Sequence, residues 1–167
     1  MEKAVDNRLA ELERRIAALE EAAGPQAEEP MLGDDPLFLL RALKERVTEP
    51  GGVVYVGSVT LPTGQTTQWQ FGRPTDVVLD ADWAARASML AALGNPVRLT
   101  LLREILHGRA TVSALSEVEG LGTSGQVYHH LRQLTAEGWL HSPSRGTFAV
   151  PQTRVVALLA ILVALER

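Results

Sequence analysis

Between Thr111 and Leu134 the chain runs TVSALSEVEGLGTSGQVYHHLRQL, two amphipathic helical patterns separated by a short glycine-bearing turn. No other stretch constrains the fold as tightly. Gly120 and Gly122 allow the turn to reverse within a few residues. Two helices joined so closely must pack on each other at a steep angle. Thr111 and Thr123 each stand directly before an apolar-periodic run, where N-caps belong. On the second helix Val127, Leu131 and Leu134 fall at i, i+4, i+7 and face inward, with His130 between them on the same side. Ser124, Gln126, Tyr128, His129 and Arg132 are left outside. Such side chains can reach base edges and phosphates: glutamine suits adenine, arginine suits guanine or phosphate. The next segment, Trp139 to Val150, reads as a hairpin turning at Pro143-Ser144-Arg145-Gly146. Together these parts predict a winged helix-turn-helix whose second helix lies in a major groove. The candidate DNA contacts are Thr111, Ser113, Thr123, Ser124, Gln126, Tyr128, His129, Arg132 and, at the wing tip, Arg145. A plain pair of core helices would need neither the outward polar row nor the basic hairpin tip.

The flanking segments suggest self-association. Val5, Leu9, Leu12, Ile16, Leu19 and Ala23 form an unbroken heptad seam. In a parallel pair Arg8 faces Glu13 and Arg15 faces Glu20, both attractive, so residues 1–23 are expected to form a short coiled coil. Residues 24–34 are a Pro- and acid-rich linker. Within 35–79, Asp35-Pro36 opens a helix to about Val47, and Val53–Leu61 and Thr66–Phe71 form a hairpin around Pro62-Thr63-Gly64. Trp69 and Phe71 share one face of it and are expected to be buried, on the Asp80–Leu93 helix or across a dimer. The winged helix-turn-helix spans 80–150 and includes a helix from Pro96 to His107. Pro151 opens a last helix, 151–167, apolar nearly all round. Such a helix is buried, and a partner subunit is the expected cover, through Leu158, Leu159, Leu162 and Leu165. The fold class is therefore mainly α with two β-hairpins, a winged helix-turn-helix between a coiled-coil helix and a dimerisation helix.

Charge narrows the partners. The net charge is −4, which excludes a general polyanion binder. Residues 1–50 hold seven basic and twelve acidic residues, whereas residues 96–150 hold five and four. DNA contact must then come from a few placed arginines, helix N-termini and polar side chains. The chain has no cysteine, so thiolate metal sites and disulfides are excluded. The longest apolar run, Val155 to Leu165, is too short to span a bilayer, and Met1-Glu2-Lys3-Ala4 does not lead into a secretory signal. A cytoplasmic, nucleoid-associated protein is expected. No P-loop, GxSxG or HExxH motif occurs, and no enzyme or cofactor is expected.

Ala92-Leu-Gly-Asn-Pro-Val-Arg-Leu-Thr-Leu-Leu102, Val127-Tyr-His-His-Leu-Arg-Gln-Leu-Thr-Ala-Glu-Gly-Trp-Leu140 and the Ser144–Val150 wing come in the order of the ArsR/SmtB-type winged helix-turn-helix regulators, which residues 85–167 resemble. The resemblance implies a homodimeric bacterial repressor that leaves its operator when a ligand binds. It places Ser124, Gln126, Tyr128 and His129 on the recognition helix and Arg145 at the wing tip. Metal sensing does not carry over, because the last helix from Gln152 to Glu166 has no His or Asp and the chain no cysteine. Adjacent His129 and His130 point about 100° apart on a helix and cannot chelate as a pair. The coiled coil and the 53–71 hairpin lie outside the resemblance.

The expected function is that of a sequence-specific regulator on double-stranded DNA, a homodimer or higher oligomer with no membrane partner and an effector left open. Two alternatives stand beside it. One is an architectural protein that bridges DNA, since self-association elements at both ends can link dimers. The other is a protein-interaction module whose winged helix no longer binds DNA.

Overall fold

A computed structural model describes residues 35–166 and, before them, Arg8, Glu11, Leu12, Arg14 and Arg15. Those five are helical and exposed, with Arg14 paired to Glu11 at 2.6 Å. Of the heptad seam only Leu12 is among them, 52% exposed; Val5, Leu9, Ile16, Leu19 and Ala23 lie outside the described residues. The chain divides after Val47 into two units. In the first, α1 (Phe38–Lys44) is shorter than the sequence predicts. Asp35 accepts from the Leu37 backbone N–H at 3.1 Å and pairs with Arg41, and Phe38, Leu39 and Leu40 stay exposed.

The second unit, from Thr48 onward, is built around leucines. Leu101, Leu102, Leu115, Leu131, Leu134 and Leu158 are each 1% exposed or less. Strands β1 (Gly52–Thr60) and β2 (Thr66–Pro74) form an antiparallel hairpin. Its turn places Gly64 at φ 81°, which suits glycine. Helix α2 (Thr75–Leu79) and a single 3₁₀ turn (Ala84–Arg86) precede α3 (Ala87–Leu93). The sequence predicts one helix from Asp80. Instead, Asp82 accepts from the Ala84 N–H at 2.9 Å and starts the 3₁₀ turn. Next come α4 (Pro96–Leu106), α5 (Val112–Ser116), α6 (Ser124–Ala136), strands β3 (His141–Ser144) and β4 (Thr147–Ala149), and α7 (Gln152–Val163). Helices account for about half of the described residues, and the sheets are two antiparallel hairpins.

The β1–β2 hairpin lies on α7, within its own chain. Its inner face pairs Gly57 with Trp69 and Val59 with Thr67. A Cβ at Gly57 would sit 2.6 Å from Val156 Cγ1, so only glycine lets strand and helix approach this closely. One face of the hairpin is therefore placed on α7 rather than on the Asp80–Leu93 helix. This packing also groups the hairpin with the 80–167 segment rather than with α1. Thr67 is buried and Trp69 half-buried, but Phe71 is 39% exposed near the open end, 5.9 Å from the Tyr55 ring and beneath the Arg73 guanidinium.

Packing within the chain buries part of the expected leucine seam of α7. Leu158 is a core residue, 1% exposed, and Leu159 is half-buried. Leu162 at 37% and Leu165 at 74% are exposed, and Leu158, Leu159 and Leu162 line a groove between the hairpin turn, α4 and α7. Among the described residues no helix is long and apolar enough to cross a membrane.

Candidate nucleic-acid interface

Thr111 caps α5, its hydroxyl accepting from the Ala114 N–H at 3.2 Å. The turn that follows carries Gly120 at φ 83° and Gly122 at φ 85°, conformations that L side chains rarely adopt. Between them Leu121, 3% exposed, plugs the core. Thr123 then caps α6 in a reciprocal box. The Gln126 N–H donates to the Thr123 hydroxyl, and the Thr123 N–H donates to Gln126 Oε1 at 2.8 Å. Gln126 is exposed as expected, but its carbonyl oxygen serves the helix cap; its amide NH₂ is what remains for a ligand.

Val127, Leu131 and Leu134 are each 0% exposed, so the inward side of α6 is as the sequence predicts. Its outer side is an open depression lined by Gly125, Tyr128, His129, Arg132, Gln133 and Ala136. Gly125 and Ala136 keep the helix backbone approachable, while Tyr128, 49% exposed, and Arg132 project around them. All nine sequence-predicted DNA contacts are exposed. Gly125, Gln133 and Ala136 were not among them, although a 100° helical step puts all three on the same side as His129 and Arg132.

The C-terminal half of α6 is fixed by polar contacts. Arg98 donates to Gln133 Oε1 at 2.9 Å and to the Ala91 carbonyl at 2.8 Å, tying α6 to the end of α3. Ser88 donates to Glu137 at 2.8 Å, and the buried Trp139 indole donates to the Met89 carbonyl at 2.9 Å. His130 is half-buried, and its Nδ1 has no hydrogen-bond partner. Burial holds its pKa below the ordinary histidine value, the Arg98 guanidinium and His129 push the same way, and Gln133 opposes them.

The β3–β4 hairpin is anchored to the cap of α5. Thr147 bridges to Thr111, and the Phe148 N–H donates to the Ala110 carbonyl at 2.8 Å. Ser142 donates to the Thr147 carbonyl at 2.9 Å across the hairpin. Arg145 stands exposed at the tip beside Gly146, φ 76°. Among the described residues neither Arg132 nor Arg145 is in a salt bridge, whereas Arg109 is paired with Glu104 at 3.1 Å. Exposed Glu117 and Glu119 in the α5–α6 turn offset part of that positive charge. Among the described residues no three His, Cys, Asp or Glu side chains group as metal ligands.

No family model, curated protein or solved structure matches this chain.

Proposed function

We propose that the protein is a sequence-specific DNA-binding regulator of the winged helix-turn-helix type, a homodimeric repressor in which α6 enters the major groove and the β3–β4 hairpin is the wing. One observation carries this reading. A capped thirteen-residue helix, α6, buries one side fully and presents Tyr128, His129 and Arg132 on the other, beside an anchored hairpin whose tip arginine is in no salt bridge among the described residues. His129 and the Gln126 amide lie toward the helix N-terminus, where base edges are met; Arg132 and Arg145 hold phosphate or enter the minor groove. The dimer is held by the 5–23 heptad seam and by the open end of α7, where Val163 is 63% and Leu165 74% exposed.

The acidic turn favours a second reading, a winged helix that binds protein rather than DNA. Selection from a random duplex library separates the two. Enrichment of an inverted repeat with half-sites about 34 Å apart is expected of a two-fold dimer reader. Recovery of no sequence above background at low salt would favour the interaction module, and enrichment of bent DNA without a motif would favour the architectural role.

A further inference from the structure

The turn of the β1–β2 hairpin, α4 and α7 enclose an apolar groove of about 410 Å³, remote in sequence from the α6 face. Leu102 and Leu158, each 1% exposed, are its most deeply buried lining residues. Leu61, Leu99 and Leu159 line it from the three elements. Its volume falls in the range of small-molecule sites, ~300–1,000 Å³. The charge of its lining is one-sided: Arg103 contributes to it, and no Asp or Glu does. Glu104 engages Nε and Nη2 of Arg103 at 3.3 and 3.0 Å, and Nη1 is left without an acceptor among the described residues. The His107 Nδ1 donates to the Arg103 carbonyl at 2.8 Å, so Nε2 of the neutral ring is an acceptor and adds no donor for an anion. Thr100 offers no competing donor, since its hydroxyl is given to the Pro96 carbonyl.

We infer that this groove binds a small apolar carboxylate, its hydrocarbon body among the leucines and its charged head on Arg103. A second copy of the chain fits less well. The apolar surface left open inside the groove is a small fraction of the roughly 800 Å² per partner that a stable interface buries. An amphipathic cation is opposed by the rim. The site is independent of DNA binding, so it stands or falls without the α6 reading.

Calorimetric titration of the full chain with decanoate, decanol and decylamine tests it. Decanoate is expected to bind once per chain, decanol roughly tenfold more weakly for want of a charge-assisted hydrogen bond, and decylamine not at all. Arg103→Gln, a change at an exposed side chain, should reduce decanoate affinity to that of decanol and leave decanol unaltered. Leu162→Glu, at a partly exposed lining position, should abolish decanoate binding by placing a like charge at the groove. The inference is overturned if no heat appears, if all three compounds bind alike, or if Arg103→Gln binds decanoate as before. It is also overturned if sedimentation shows Leu162→Glu turning dimers into monomers with decanoate binding intact, since the groove then faces a second copy.

Discussion

Gln126 caps α6 through its carbonyl oxygen, and in the proposed reading its amide meets a base edge. Replacing it therefore tests both at once unless they are separated. Gln126→Ala is expected to lower folding stability by ~0.5–2 kcal/mol, the usual cost of a lost cap, as well as to weaken DNA binding. Gln126→Glu keeps a capping-box acceptor and should preserve the melting temperature while still impairing the DNA complex through its charge. Equal DNA affinity for Gln126→Glu and wild type would remove Gln126 from the interface. His130 gives a pH test. Its folded pKa lies below the unfolded one, so the unfolded chain takes up the proton first. The stability it contributes is complete above about pH 6.5, falls as pH drops through that ordinary histidine value, and levels off below the folded pKa. Urea midpoints between pH 5 and 8 should show this slope in wild type and a shallower one in His130→Gln. The outward row on α6 and both threonine caps were legible in the sequence because helical period and cap chemistry are local. The capping role of Gln126 was not, because threonine three residues before glutamine is compatible with either a cap or a free side chain.

At the scale of elements, the sequence marked α7 as buried but did not show that the β1–β2 hairpin of its own chain lies on it. A helix apolar nearly all round must be surrounded, and periodicity carries no information on whether the cover is another subunit or another part of the chain. Gly57 was the available signal: a glycine inside a strand often marks a close backbone approach, and here it meets Val156. Gly57→Val should therefore force the hairpin off α7 and destabilise the second unit by ~1–3 kcal/mol, the usual penalty of overpacking. Chemical denaturation measures it; an unchanged midpoint would mean that the hairpin contributes little to α7. Deleting residues 53–71 should go further, exposing Val156 and Leu159 and lowering the melting temperature of the monomeric unit itself. The 3₁₀ start of α3 was illegible for a simpler reason. Asp80 and Asp82 both suit a helix N-terminus, and only the hydrogen bond from Ala84 to Asp82 shows which one starts the turn.

For the whole molecule, the proposed dimer rests on the N-terminal heptads together with the open end of α7. Paired Leu9→Glu and Ile16→Glu substitutions are expected to give a folded monomer by sedimentation, with affinity for an inverted repeat reduced to that for a single half-site. A dimer that survives them would return the interface to the exposed end of α7. Low net charge over residues 96–150 means that specificity must rest on few contacts, so single substitutions should be readable individually. The most direct measurement is the affinity of wild type, His129→Ala and Arg145→Ala for a selected duplex and its scrambled counterpart across a salt series. His129→Ala should lose ~1–3 kcal/mol on the selected duplex alone. Arg145→Ala should weaken both duplexes alike and flatten the slope of log affinity against log salt by about one. Wild-type affinity and wild-type salt slope in both variants, with the fold intact, would contradict α6 and the β3–β4 hairpin as the DNA-reading surface.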